Sequence, residues 1–275
     1  MLVSAMFTPH PPLIIPQIGG KNIKDVEKTV SAMKELGQRM VEADPETILI
    51  ISPHGLIHQS EMLIGASPKM AGSFESFDYP EATFSFKGNP SLADQIQNDS
   101  VKEKISASII DHDNGQYFLD HGALVPIYYL TEELGSDVKI VPISYSMLSR
   151  AEHYSFGQII GQIIDKSSDR IAVVASGDLS HRLLENEAGK IGSQFDRIIV
   201  ENIKNYNPSK IIDIDEELQD LAGECGYRSL LILLGILDGK QIKPEVLSYE
   251  GPFGVGYMVA DFKISNQENE FTNSI

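Results

Sequence analysis

Apolar residues along the chain fall into two periodicities. Short unbroken runs, Leu2–Phe7, Thr47–Ile51, Val138–Ile143 and Ile171–Ala175, have the length and β-branched content of strands buried on both faces. Between them lie amphipathic stretches. Lys21–Ala43 carries Ile23, Val26, Val30, Met33, Leu36 and Met40 at helical spacing, and Ala151–Asp165 and Ser193–Asn205 also read as helices. Leu218–Leu237 predicts one more helix, interrupted early by Gly223 and Gly226, and the chain returns to strand over Glu245–Tyr249 and Val255–Phe262. Glu61–Ala66 and Ala82–Phe86 fit the alternation less well and read as a side hairpin or edge strands. The whole predicts an α/β fold: one domain over 1–265 with a central mixed, mostly parallel sheet flanked by helices on both faces. A polar tail over 266–275, expected to fray, follows it.

Composition narrows the functions open to such a fold. The 22 basic and 39 acidic side chains leave a net charge of −17, which argues against a nucleic-acid partner, because phosphate-backbone binding needs clustered cations. A single cysteine, Cys225, excludes an intramolecular disulfide framework and an all-cysteine zinc site, and fits a reducing, cytoplasmic setting. No apolar run reaches the roughly 18 residues of a membrane span, and the N-terminus has no basic, signal-like region. The glycine-rich GPFGVG at 251–256 precedes a strand and no helix, so it reads as a turn and not as a dinucleotide fingerprint.

The chemistry gathers on histidines. Three of the seven directly follow predicted strands: His10 in FTPH, His54 in ISPH and His181 in SGDLSH. Ligands of open α/β sheets bind beyond the carboxyl ends of the strands, so these three exits can meet in one crevice. Proline before His10 and His54 stiffens both approaches, which suits metal ligands. Neutral imidazole binds zinc and iron, but two histidines need a third donor, often a carboxylate. Glu224, in AGECGYRSLL, stands beside small residues that permit close backbone approach, and its neighbour Cys225 is a soft donor in its own right. Asp120-His121-Gly122 opens an apolar run and reads as a helix start, and Asp178 is placed to orient His181 or to turn its loop. His58, His112 and His153 read as structural or surface residues.

Taken in order, TPHPP, ISPHG, DHGALVP, SGDLSH, ECGYRSLLILL and SYEGPFGVGYMVADF resemble the catalytic B subunit of class III extradiol ring-cleavage dioxygenases, the LigB-like superfamily. Within it they are most similar to the Memo-like branch of the AmmeMemoRadiSam system. The resemblance spans nearly the whole chain. It implies that His10, His54 and Glu224 hold Fe(II), that His181 is the acid–base histidine accompanied by Asp178, and that His121 contacts substrate or oxygen. Memo-like proteins can carry cysteine where the dioxygenases carry glutamate, so a one-residue shift to Cys225 changes the donor. Glu224 is the favoured reading, because Fe(II) sites of the superfamily use carboxylate. The implied activity is oxidative cleavage of a small catechol-type aromatic with O2. The alternatives are a Memo-like metal-binding protein without ring cleavage, and a zinc hydrolase on the same scaffold. Zinc or copper are the alternative metals, and a homo-oligomer or a partner subunit is compatible with the resemblance.

Overall fold

The computed structural model describes residues 1–111, 115–184 and 186–265. The tail over 266–275 and His112 lie outside the described residues. The strands are β1 (Leu2–Thr8), β2 (Thr47–Ser52), β3 (Met62–Gly65), β4 (Lys69–Phe74), β5 (Tyr79–Gly88), β6 (Ala107–Ile110), β7 (Gln116–Phe118), β8 (Lys139–Ser144), β9 (Ile171–Ser176), β10 (Ile242–Glu250) and β11 (Tyr257–Ile264). The helices are α1 (Pro16–Gly19), α2 (Glu27–Ala43), α3 (Pro90–Lys102), α4 (His121–Leu130), α5 (Arg150–Lys166), α6 (Asn186–Lys204), α7 (Pro208–Ile212), α8 (Glu216–Ala222) and α9 (Tyr227–Ile236).

All the strands join one sheet in the order β10-β11-β1-β9-β2-β8-β5-β4-β7, with β3 bridging β8 and β6. Its centre is parallel: β1 pairs with β9, β9 with β2 and β2 with β8. Antiparallel pairing is confined to the flanks, at β10–β11, β11–β1, β3–β8 and β4–β5. The fold is therefore the mixed, mostly parallel α/β sheet that the alternation predicts. The four central strands point the same way, so the segments after Thr8, Ser52, Ser144 and Ser176 all leave from one edge.

The unbroken apolar runs follow from burial on both faces. Alternate side chains of a strand point to opposite sides. Ile48 and Ile50 pack with Met33, Leu36 and Met40 of α2 and Leu124 and Ile127 of α4. Leu49 and Ile51 pack on the other face with Ile160 and Ile164 of α5, Leu230 and Leu231 of α9 and Phe195 of α6. Each such Ile or Leu contributes about 1.5–3 kcal/mol on burial.

Several boundaries differ from the sequence reading for local reasons. The stretch predicted as one helix over 21–43 is a 3-10 helix over Gly20–Val26 followed by α2, because Val26, at φ −124° and ψ 25°, leaves the helical region. The helix predicted over 218–237 is two helices: Gly223, at φ +63°, ends α8 in the left-handed conformation that glycine adopts at least cost. The two marginal strands do not form a hairpin together; β3 pairs with β6 and β8, while β5 pairs with β4 and β8. Helix α3 went unpredicted although its start is marked: Asn89 caps it by accepting from Leu92 N, and Pro90 takes the first turn.

His153 is a structural histidine, fully buried, with Nδ1 2.8 Å from Ser149 O and Nε2 3.4 Å from Ser146 N. Burial holds its pKa down at about 4 against an ordinary 6.5. Protonation therefore favours the unfolded chain: the stability carried by the neutral ring is whole above 6.5 and is lost as pH falls through about 4. That gap corresponds to about 3 kcal/mol. Denaturant unfolding of wild type and His153→Gln between pH 7 and 4 is expected to show the shallower loss in the variant; parallel curves would contradict it.

Candidate metal centre

Central strands β1, β2 and β9 are followed by His10, His54 and His181, and a fourth histidine, His121, joins them from the start of α4. His10 leaves β1 and is buried, His54 leaves β2 and is exposed, and His121 opens α4 at half-burial. Ring nitrogens of these three lie within 4.8 Å of one another. His54 Nε2 stands 2.9 Å from His10 Nε2, and the His54 and His121 rings stack at 4.2 Å between centroids. His121 is held there by its helix start: Asp120 is the N-cap of α4 and accepts from Ala123 N. The same carboxylate accepts at 2.5 Å from Ser52 Oγ, which lies against His54 N.

A second group of donors adjoins the first. His10, Asp178 and Cys225 also place donor atoms within 4.8 Å of one another. Cys225 Sγ lies 3.6 Å from His10 Nε2 and 3.6 Å from Nε2 of His181. Asp178 Oδ1 accepts from His10 N at 3.1 Å, and Oδ2 is 4.0 Å from Nε2 of both His10 and His181. Asp178 thus sits between the two histidines, bonded to the backbone of His10 and 4.0 Å from both rings. Its own backbone grips the cysteine loop: Cys225 N and Gly226 N donate to Asp178 O, and Asp178 N points at Cys225 Sγ at 3.3 Å.

Glu224, expected as the third metal donor, is placed differently. Its Oε1 accepts from Gln219 Nε2 at 2.8 Å and its Oε2 accepts from Tyr227 N at 2.5 Å. The carboxylate closes the start of α9 and ties it to α8. It belongs to neither group of donor atoms among the described residues. Because Gly223 turns the chain between the helices, it is the next residue, Cys225, that faces the histidines.

Electrostatics favours neutral ligands. Burial, then the neighbouring His54, His121 and His181 rings, hold His10 well below the ordinary imidazole range. Burial likewise lowers His54, His121 and His181. Each ring is thus neutral at neutral pH, with one N–H and one lone-pair nitrogen. Burial pushes Asp178 up to about 7 and raises the Cys225 thiol, so the thiol needs a nearby cation to ionise. Two contributors escaped the sequence reading. Ser176, at the end of β9, lies 2.9 Å from His10 Nδ1. Phe77, at the turn between β4 and β5, lies edge-on to His121 at 5.5 Å. Only the polar end of the IAVVAS run signals the first; nothing local signals the second.

A parallel-centred α/β sheet with imidazole and carboxyl donors beyond its strand exits, and a thiol beside them from the α8–α9 turn, defines a protein with a candidate metal centre. Residues 4–260 match the family model described as the catalytic LigB subunit of aromatic ring-opening dioxygenase, and the chain belongs to this family. It is 36% identical over 259 residues to Protein CA_C1420 of Clostridium acetobutylicum, covering 91% of this chain and 55% of that protein, so it spans about half that relative's length. It is 25% identical over 259 residues to the 3,4-dihydroxyphenylacetate 2,3-dioxygenase of Escherichia coli, covering 87% of this chain and 93% of the enzyme. A MEMO1 family protein of Sulfolobus acidocaldarius is 25% identical over 211 residues, 76% of this chain and 66% of that protein. Together these relatives place the chain with the LigB-like and Memo-like proteins. The crystal structure of uncharacterized protein JW3007 from Escherichia coli K12 shares the fold, with a TM-score of 0.62 at 19% identity over 94% of this chain and 99% of that one. Among the described residues no helix is long and apolar enough to cross a membrane.

Proposed function

We propose that the chain binds one transition-metal ion through His10, His54 and Cys225 and acts there on a small hydroxylated substrate. The observation that carries this reading is the convergence of His54 Nε2 at 2.9 Å and Cys225 Sγ at 3.6 Å on His10 Nε2. The donors fit such an ion in their chemistry, with His10 common to the two donor groups, His54 in one and Cys225 in the other: the imidazoles are neutral, the thiol has histidine neighbours, and Asp178 supplies a buried carboxyl. A set of two imidazoles and a thiolate suits iron, zinc or copper. When bound, the metal supplies Lewis-acid polarisation of a coordinated oxygen and, if redox-active, electron exchange.

The chain's own residues do the rest. His181 is exposed, with Nε2 4.0 Å from Asp178 Oδ2, and takes the substrate's proton. Asp178, already engaged with His10 N, keeps that imidazole aimed at the cluster. His121, stacked on His54 and flanked by Phe77, walls the opposite side and offers a ring nitrogen to a substrate oxygen.

A second reading, Fe(II)-dependent ring cleavage of a catechol by O2, is supported by the similarity to the dioxygenase over most of both chains. Under this reading both oxygen atoms enter the product, and the thiolate replaces the carboxylate donor. Anaerobic Fe(II) titration, then oxygen uptake on a panel of catechols, tests the two together. One iron per wild-type chain and none in His10→Ala supports the metal site; no binding of iron, zinc or copper sinks it. Oxygen uptake supports ring cleavage, and its absence with iron bound leaves the metal-binding reading alone. For a substrate that is turned over, His181→Ala is expected to keep its metal and to lose about 10²–10⁴ in rate. Lost metal would show instead that His181 is a ligand.

A further inference from the structure

We propose that Ser176 is a positioning residue that locks the imidazole of His10 in one tautomer, with its proton on Nδ1 and the Nε2 lone pair facing the donor cluster before a metal arrives. The role it serves rests on His10 being a metal donor, as read above; the lock itself is a property of the metal-free chain.

Ser176 is fully buried, and its Oγ has two neighbours. Gly122 O lies at 2.5 Å and His10 Nδ1 at 2.9 Å. A serine hydroxyl carries one proton, and a carbonyl oxygen can only accept. The Ser176 proton therefore goes to Gly122 O. Toward His10 the hydroxyl has only a lone pair left, so Nδ1 must bring the hydrogen. A neutral imidazole has one N–H, which leaves Nε2 of His10 unprotonated.

The assignment extends to His54. Its Nε2 stands 2.9 Å from His10 Nε2, and two facing lone pairs would repel. With His10 as the acceptor, His54 carries its proton on Nε2 and donates it in the metal-free chain. A metal at this position replaces that hydrogen. The two histidines therefore differ: His10 is preset as a ligand, whereas His54 must move its proton to Nδ1 or release it. The Ser176–Gly122 bond also fastens β9 to the first turn of α4, where His121 begins, so one hydroxyl sets His10 and the depth of His121 together.

The test is imidazole nitrogen NMR on the full chain labelled at histidine, first metal-free and then with Zn²⁺. The expected metal-free spectrum shows the His10 hydrogen on Nδ1 and the His54 hydrogen on Nε2. Zinc is expected to shift only the His54 pattern. Ser176→Ala is expected to redistribute His10 toward the Nε2–H form and to weaken zinc binding about 10–100-fold, as loss of a partner behind a metal ligand does. Ser176→Thr, which keeps the hydroxyl, is expected to retain both. A metal-free wild type with the His10 hydrogen on Nε2 overturns the lock even if no variant folds. So does a Ser176→Ala protein with unchanged tautomer and affinity. A correct His10 tautomer in a chain that takes up no zinc supports the lock and counts against the metal site alone.

Discussion

Cys225→Ser is expected to lower metal affinity about 100-fold or more, while Glu224→Gln leaves it within about threefold, since a soft thiolate is a far stronger donor than a neutral hydroxyl. The pair of variants is chosen so that each keeps its local structure. Cys225 Sγ receives Asp178 N at 3.3 Å, and a serine oxygen can accept the same hydrogen. Glu224 closes the start of α9 by accepting from Tyr227 N, and glutamine keeps an oxygen for that bond. Alanine there would remove the cap, at about 1 kcal/mol, and blur the comparison. Titrations of Fe(II) and Zn²⁺ into both proteins give the answer. The reverse pattern would make Glu224 the donor, which requires its carboxylate to leave both Tyr227 N and Gln219.

The second large effect belongs to the backbone that presents the cysteine. A Cβ on Gly177 would stand 2.0 Å from Gly226 Cα, a backbone atom in the loop that carries Cys225. No side-chain rotation relieves that contact, so the β9 exit and the cysteine loop have to separate. Gly177 N also donates to Thr8 O at 2.9 Å, which ties the same exit to the end of β1 just before His10. Gly177→Ala is therefore expected to cost about 3 kcal/mol, the upper range for overpacking a tight site. It is also expected to pull Cys225 Sγ away from His10 and so to weaken metal binding. Denaturant unfolding and metal titration on one preparation check both; a variant as stable as wild type with unchanged affinity would contradict the account.

The legibility of the site follows from the range of the forces that build it. His10, His54 and His181 could be read because each follows a buried apolar run, and parallel pairing of those runs places their exits at one edge. Asp120 and His121 could be read because a capping aspartate before an apolar run is a local signal. Which of Glu224 and Cys225 faces the histidines could not. It depends on one turn at Gly223 and on Tyr227 N claiming the glutamate, both set by how α8 and α9 pack. The glycines at 223 and 226 mark an interruption of the helix expected over 218–237, but not which side chain the turn sends toward the histidines. Ser176 and Phe77 reach the site from β9 and from the β4–β5 turn, and only the folded sheet brings them to His10 and His121.

X-ray absorption of the Zn²⁺-loaded chain tests the donor set most directly, because sulfur and nitrogen scatter at distinct distances. One sulfur at about 2.3 Å together with imidazole nitrogens at about 2.0–2.1 Å is the expected result. A spectrum fitted by nitrogen and oxygen alone, with zinc bound one per chain, would contradict it and return the third position to a carboxylate.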